Sequence, residues 1–243
     1  MSPPVFLCAS DRLSSDAILL EGAEGRHAAA VRRLRPGERA DLTDGAGLVV
    51  ECLVTSAGRD SLWLEAVSRT RVPAPSPRVV VVQALPKGDR GELAVETMTE
   101  VGVDEVVPWA AARCVTQWRP ERRAKALNRW RGTAREAAKQ SRRAWLPEVA
   151  ELAGTPEAAE RVARATLAVI LHEEAERPLS AVSVPEKGEI VVVVGPEGGL
   201  TEDELTMFQD AGGVPVLLGP TVLRTSTAGV AATSVLLSRT GRW

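Results

Sequence analysis

The hydrophobic positions of this 243-residue chain fall into short runs between turn residues, and the character of the runs changes near residue 72. Before that point Ala17–Leu20 and Arg39–Leu42 are brief, while Leu48–Val54 and Ser61–Val67 read as clearer strands. Arg35-Pro36-Gly37, Asp44-Gly45-Ala46-Gly47 and Ala57-Gly58-Arg59-Asp60 are turn signals between them. One helical stretch, about Gly25 to Leu34, interrupts the series. The pattern predicts a small β-barrel with a single helix, an architecture that commonly binds oligonucleotides. Val72-Pro73-Ala74-Pro75-Ser76-Pro77 then reads as a semi-rigid linker and domain boundary.

Beyond the linker, strands and helices alternate. Strands are expected at Arg78–Ala84, Val103–Trp109, Thr166–Leu171, Ile190–Val194 and Val214–Leu218. Helices are expected at Lys87–Val101, Glu157–Arg164 and Ser226–Arg239, with a long basic helix or helix pair over about Pro120–Arg142 and another helix opening at Thr201-Glu202-Asp203-Glu204 and stopping near Gly212-Gly213. That opening is a Thr-x-x-Glu capping box with acidic residues in the first turn. The alternation predicts a parallel βαβ sheet, an α/β domain. The stretch from Ile190 to Ala228 organises it. Twice a buried strand breaks into a Gly-Pro loop that leads to a helix, first at Gly195-Pro196-Glu197-Gly198-Gly199 and then at Gly219-Pro220. Ligands of open α/β sheets sit at such carboxyl ends, so the active site is expected there.

Composition adds three constraints. With 44% hydrophobic residues the chain can bury a real core. Cys8, Cys52 and Cys114 are scattered, so neither a metal site nor a disulfide framework is expected. No signal peptide or membrane-length apolar run stands out, which points to a soluble cytoplasmic protein with no membrane partner. The net charge of −2 conceals an asymmetry. Arg113 to Arg143 holds eleven Lys/Arg against two Glu, a net of +9, whereas Ala144 to Asp210 comes to −10. The basic stretch also carries Trp118 and Trp130, with Trp145 just beyond. One-sided basic charge interleaved with indoles favours contact with RNA or DNA over a merely solvated helix face.

The glycine loop is neither a Walker loop nor a dinucleotide fingerprint, since no Gly-Lys-Ser/Thr or Gly-x-Gly-x-x-Gly pattern is present. Its adjacent glycines fit either a close ligand approach or an ordinary strand-to-helix turn. Arg224, between a strand and the small-residue helix, fits either a holder of a polar substrate group or a solvated charge. His172 ends a strand in line with the glycine loops and reads as part of a loop wall. His27 reads as a surface or packing residue.

Taken together, these motifs resemble the bacterial 16S ribosomal RNA uridine-N3 methyltransferase family (RsmE) of the SPOUT superfamily, over nearly the whole chain. His27-Ala-Ala-Ala-Val31-Arg32-Arg33, with Pro36-Gly37 and Asp44-Gly45, resembles its PUA-like RNA-binding domain. Lys87 to Arg90 and Glu96 to Val103 resemble its first catalytic-domain helix. Arg113-Cys114 and Glu136 to Arg143 resemble its substrate-side motifs. Gly195-Pro196-Glu197-Gly198-Gly199 and Leu218-Gly219-Pro220-x-x-Leu223-Arg224-Thr225 are the most specific matches, in order and at the family's spacing. Thr97, Ala112, Arg142 and Ser226 stand where the family usually has Lys, Glu, Gly and Glu.

The resemblance implies a PUA-like domain over 1–72, a linker over 73–77 and a SPOUT methyltransferase domain with a trefoil knot over 78–243, assembled as an obligate homodimer. It implies S-adenosylmethionine bound by Leu171, His172, Glu173, Gly195, Pro196, Glu197, Gly198, Gly199, Leu218, Gly219, Leu223, Arg224, Thr225, Ser226, Thr227 and Ala228. Methyl transfer to N3 of a uridine in 16S rRNA of the small ribosomal subunit would then use Arg224 to stabilise the base and Glu197 to take its proton. His27, Arg32, Arg33, Lys87, Arg90, Arg113, Arg129, Arg135 and Arg143 are the expected RNA contacts. Two rival functions remain at this stage: an RNA-binding assembly protein without chemistry, and a related methyltransferase acting on a ribose 2′-hydroxyl or another base.

Overall fold

Apolar residues alternate with polar ones along the early strands, and the sheet they form is accordingly buried on one face. A computed structural model describes residues 2–243, in two compact units. The first contains β1 (Val5–Leu7), β2 (Ala17–Leu20), α1 (Gly22–Arg26), β3 (Arg39–Thr43), β4 (Leu48–Ala57) and β5 (Leu62–Arg71). Along β5, Leu62 and Leu64 point inward while Trp63 and Glu65 face solvent. Phe6, Ile18, Leu42, Val50 and Val54 complete the apolar cluster with them.

Two features differ from the expectation. The sheet order is β1-β3-β4-β5-β2, so β1 and β2 are its edges, and among the described residues no ladder joins them into a closed barrel. The single expected helix is a short α-helix continued by a π-helical segment over His27–Val31.

The same unit takes in Ala138–Leu146. Gly47 N donates to Ala144 O at 2.9 Å and Trp145 Nε1 donates to Val72 O at 3.0 Å. Lys139 Nζ meets Glu24 Oε1 at 3.0 Å, with both side chains almost fully covered. Arg142 holds φ at 59°, a left-handed conformation that glycine would adopt without strain.

The second unit is built on six parallel strands: β6 (Arg78–Ala84), β7 (Glu105–Trp109), β8 (Glu148–Val149), β9 (Leu167–Leu171), β10 (Glu189–Val194) and β11 (Val214–Val216), in the order β11-β9-β10-β6-β7-β8. Val79–Val82 and Ile190–Val193 are fully buried, as strands covered on both faces must be. The helices are α2 (Arg90–Val101), α3 (Pro120–Gln140), α4 (Thr155–Arg164), α5 (Glu202–Asp210) and α6 (Thr225–Leu237). β11 stops short of the expected Leu218. Leu217 leaves the sheet, donating to Arg177 O and accepting from Leu179 N, each at 2.8 Å. α2 starts at Arg90 rather than Lys87, because Gly88 has a φ of 71° that no right-handed helix accommodates.

Charges close the amino edge of this sheet. Arg78 Nη2, at the start of β6, meets Glu105 Oε2 at 2.8 Å. Arg161 Nη2, on α4, meets Glu189 Oε2 at 3.0 Å and also pairs with Glu105. Burial drives the Glu105 carboxyl above its ordinary value, against the pull of Arg161 and Arg78.

Candidate functional site

At the opposite, carboxyl edge, the connections that follow β9, β10 and β11 converge on one cavity of about 460 Å³. It is lined by 171–173, 194–197, 199–200, 217–225 and Ala228.

The β10 connection is a tight turn. Gly199 N donates to Pro196 O at 3.0 Å, and Gly199 adopts a φ of 72°, open to glycine at little cost. Thr225 Oγ1 donates to Gly195 O at 3.1 Å, tying this turn to the start of α6. On its outer side Arg113 Nη1 donates to Gly198 O and Leu200 O at 3.1 and 3.0 Å. Glu197 is exposed, and its Oε1 accepts from Lys87 N at 3.1 Å. The expected capping box forms: Glu204 N donates to Thr201 Oγ1 at 3.2 Å, and Thr201 N donates to Glu204 Oε2 at 3.0 Å.

The β9 connection begins at His172, whose Nδ1 accepts from Glu174 N at 3.3 Å. In the neutral ring the proton therefore sits on Nε2, which makes that nitrogen a donor. Glu173 follows, exposed at the rim. The β11 connection ends at Arg224, the N-cap residue of α6, whose carbonyl accepts from Thr227 N and Ala228 N at 2.8 and 2.9 Å. Its exposed guanidinium has no protein partner among the described residues. The cavity thus combines apolar walls from Leu171, Leu200 and Leu218, carboxylates at Glu173 and Glu197, and one unpaired cation.

Most of the expected cofactor residues come together here: Leu171, His172, Glu173, Gly195, Pro196, Glu197, Gly199, Leu218, Gly219, Leu223, Arg224, Thr225 and Ala228 all line the cavity. Gly198, Ser226 and Thr227 do not. Gly198 turns toward Arg113, Ser226 is buried, and Thr227 Oγ1 donates back to Arg224 O at 3.2 Å. Leu217, Pro220, Thr221 and Val222 of the expected 217–228 loop also line it, and sequence reasoning passed over only Val194 and Leu200. Their only signal is chain continuity with the motifs.

The expected RNA contacts are dispersed. In the first unit, His27 packs edge-to-face on Phe6 with ring centres 5.8 Å apart, Arg32 and Arg33 are exposed, and Arg143 is half-buried. In the second, Lys87 and Arg135 are exposed, Arg90 opens α2, and Arg129 Nη2 pairs with Glu92 Oε1 at 2.7 Å. The stacking role expected of the indoles is corrected. Trp130 is 3% exposed, and Trp118 meets it edge-on at 5.0 Å. Both face the core, leaving the basic charge of α3 without an aromatic partner of that kind. Burial pushes the Cys52 thiol up to about 12 and raises Cys114 as well, so both are unreactive thiols. Among the described residues no group of three His, Cys, Asp or Glu is placed to hold a metal ion.

A family profile described as an RNA methyltransferase domain matches residues 73–237, and one described as an RNA methyltransferase PUA domain matches residues 20–67. The chain is 47% identical over 229 residues to ribosomal RNA small subunit methyltransferase E of Mycobacterium bovis, covering 93% of this chain and 87% of that one. It is 31% identical over 229 residues to the Bacillus subtilis protein of the same name, covering 91% and 90%. The structure of ribosomal RNA small subunit methyltransferase E from Neisseria gonorrhoeae bound to S-adenosyl methionine superposes with a TM-score of 0.87, at 28% identity and 98% coverage of each chain.

Proposed function

This chain belongs to the ribosomal RNA small subunit methyltransferase E family, and on that premise we propose that it methylates N3 of a specific uridine in 16S ribosomal RNA, using S-adenosylmethionine. One observation carries the reading: three carboxyl-edge connections enclose a single cavity beside an unpaired guanidinium.

The cavity fits the cofactor. Its volume of about 460 Å³ is in the range of small-ligand sites. Leucines stand ready for an apolar ring, the 195–199 turn presents backbone, and Glu173 and Glu197 suit a ligand bearing positive charge. The residues of 171–173, 195–199 and 217–225 would hold it. When bound, S-adenosylmethionine supplies an electrophilic methyl group on its sulfonium.

Everything else falls to the protein. N3 of a neutral uracil is a poor nucleophile until its proton leaves. Arg224, already unpaired, donates to a uracil carbonyl oxygen and stabilises the negative charge that develops on the ring. Glu197 accepts the N3 proton; the bond from Lys87 N occupies Oε1 and leaves Oε2 for this role. Ser226 replaces the family's usual Glu but is buried outside the cavity lining, so the loss of a carboxylate there leaves this proton route intact. The target base must be unstacked to enter.

In this reading residues 1–72 form the RNA-binding PUA-like domain, 73–77 the linker and 78–243 the catalytic domain. Profile matches on either side of residue 72 support the division. His27, Arg32, Arg33 and the basic face of α3 grip the surrounding RNA. The segment after β11 threads as a trefoil knot. In support, β11 lies outside β9, yet α6 packs back on β10 and β6. The working form is a homodimer, supported by the exposed apolar residues Leu93, Val222 and Leu223. It acts in the cytoplasm, consistent with the lack among the described residues of any helix long and apolar enough to cross a membrane.

The test is methyl transfer from labelled S-adenosylmethionine to small ribosomal subunits, with the product nucleoside identified by mass spectrometry. The expected product is N3-methyluridine. Label on a ribose, on another base, or on no RNA would overturn the assignment.

A further inference from the structure

Arg113 lies outside the cavity lining, yet it touches a turn that forms part of that lining. Its Nη1 donates to Gly198 O at 3.1 Å and to Leu200 O at 3.0 Å. The peptide groups that carry these two carbonyls are also held at their other ends. Gly199 N donates to Pro196 O at 3.0 Å, and Thr201 N donates to Glu204 Oε2 at 3.0 Å. The Gly198–Gly199 and Leu200–Thr201 peptide planes, which flank the Gly199–Leu200 link, are therefore each pinned through donor and acceptor alike.

Arg113 is itself placed by the same anchor. The other oxygen of Glu204, Oε1, accepts from Ala112 N at 2.8 Å and from Thr155 Oγ1 at 3.4 Å, and this carboxylate is only 5% exposed. A methyl group on Gly198 would stand 3.1 Å from Arg113 Cβ, so the arginine stem lies directly on the turn. A guanidinium suits the task, since one nitrogen with two hydrogens reaches two carbonyls and both bonds are charge-assisted.

We infer that Arg113 is a positioning residue for the 195–201 turn, acting with Glu204, rather than a contact to RNA phosphate. The inference rests on the cofactor reading above for its consequence: a turn held in one shape binds S-adenosylmethionine without first being ordered.

The test compares Arg113→Ala, Arg113→Lys and Gly198→Ala with the unaltered protein. Arg113→Ala is expected to raise the Kd for S-adenosylmethionine roughly tenfold, the scale of a lost charged hydrogen bond. Its KM for the cofactor rises more than its kcat falls, and Arg113→Lys recovers part of the loss. Gly198→Ala changes no charge, but it presses on Arg113 and weakens cofactor binding in the same direction. RNA affinity and its salt dependence stay unchanged in all three. Without any ligand, amide exchange across 195–201 quickens in Arg113→Ala. This last readout separates the two ideas: a protein that binds no cofactor but shows the faster exchange keeps the clamp and loses the cofactor reading. Unchanged exchange overturns the inference. So does unchanged cofactor affinity with an RNA salt slope reduced by about 0.7, the mark of one lost phosphate contact on a single strand.

Discussion

The two edges of the parallel sheet treat charge in opposite ways. At the amino edge Arg78, Arg161, Glu105 and Glu189 answer one another within a few ångströms, and Arg242 Nη1 caps Asp104 Oδ2 at 2.6 Å. At the carboxyl edge Arg224 has no protein partner among the described residues, and Glu173 and Glu197 open onto the same cavity. Saturated charge holds strands in place; unsaturated charge beside a cavity is available to a ligand. The second unit opens its cavity where the strands end and sets its staples where they begin, and ligands of open α/β sheets sit at such carboxyl ends.

The sharpest way to break the contrast is to remove Arg224. Arg224→Ala is expected to cost about a hundredfold or more in turnover, the scale of a lost donor to developing charge. Because the side chain holds nothing in the protein, melting temperature should not move. A matching drop in stability would place Arg224 among the staples.

The amino edge should show the reverse. Arg161→Ala leaves Glu105 buried with Arg78 as its remaining close partner, a loss of about 3 kcal/mol in stability. Thermal unfolding should record it, while cofactor affinity below the transition stays unchanged. Altered affinity would mean that the two edges are coupled.

A smaller effect is expected at Gly199. A side chain there meets only Arg113 Nη1 and Glu173 Oε1, each at 3.8 Å, so space is not the obstacle. The φ of 72° is. Gly199→Ala should lose about 1 kcal/mol of stability and weaken cofactor binding severalfold, whereas Gly199→Asn, better suited to this conformation, should lose less. Equal losses would point to crowding instead.

The pH dependence of Glu105 is subtler still. Its folded pKa is raised above the ordinary 4.5, chiefly by burial. The folded state therefore holds this proton more tightly than the unfolded one, and the stability so gained is complete below 4.5. It is lost as pH rises through the raised folded value. Glu105→Gln removes this component, so the melting temperature of the variant relative to the parent should climb as pH rises across that window. A flat difference would show that the ion pairs cancel the burial cost.

Last, Arg122 and Lys125 are exposed on α3 and have no protein partner among the described residues. Reversing both should lower RNA affinity and reduce its salt slope by about 1.4. Arg129 is a poorer choice, since its reversal also breaks the pair with Glu92.

The two edges were not equally legible in the sequence. The carboxyl edge was visible because its parts are contiguous: a β-branched run, a Gly-Pro break and a capping box follow one another within a dozen residues or so. Local backbone chemistry dictates such patterns. The amino edge left no trace, because Arg78, Glu105, Arg161 and Glu189 come from four separate elements. The parallel register brings Arg78, Glu105 and Glu189 together, and the packing of α4 adds Arg161. The same limit explains Glu204, read from sequence as a capping residue but found also to hold Ala112 and Thr155. It explains Trp130 too, whose basic neighbours suggested RNA stacking while its own indole packs over Gly91. Charge at one position says little about where the next side chain points.

The most direct measurement is calorimetric titration of the folded protein with S-adenosylmethionine, repeated on Arg161→Ala and Gly199→Ala. Micromolar binding, unchanged by the amino-edge substitution and weakened by the turn substitution, is the predicted result. No binding at millimolar cofactor, or equal weakening by both substitutions, would contradict the assignment of the carboxyl-edge cavity as the cofactor site.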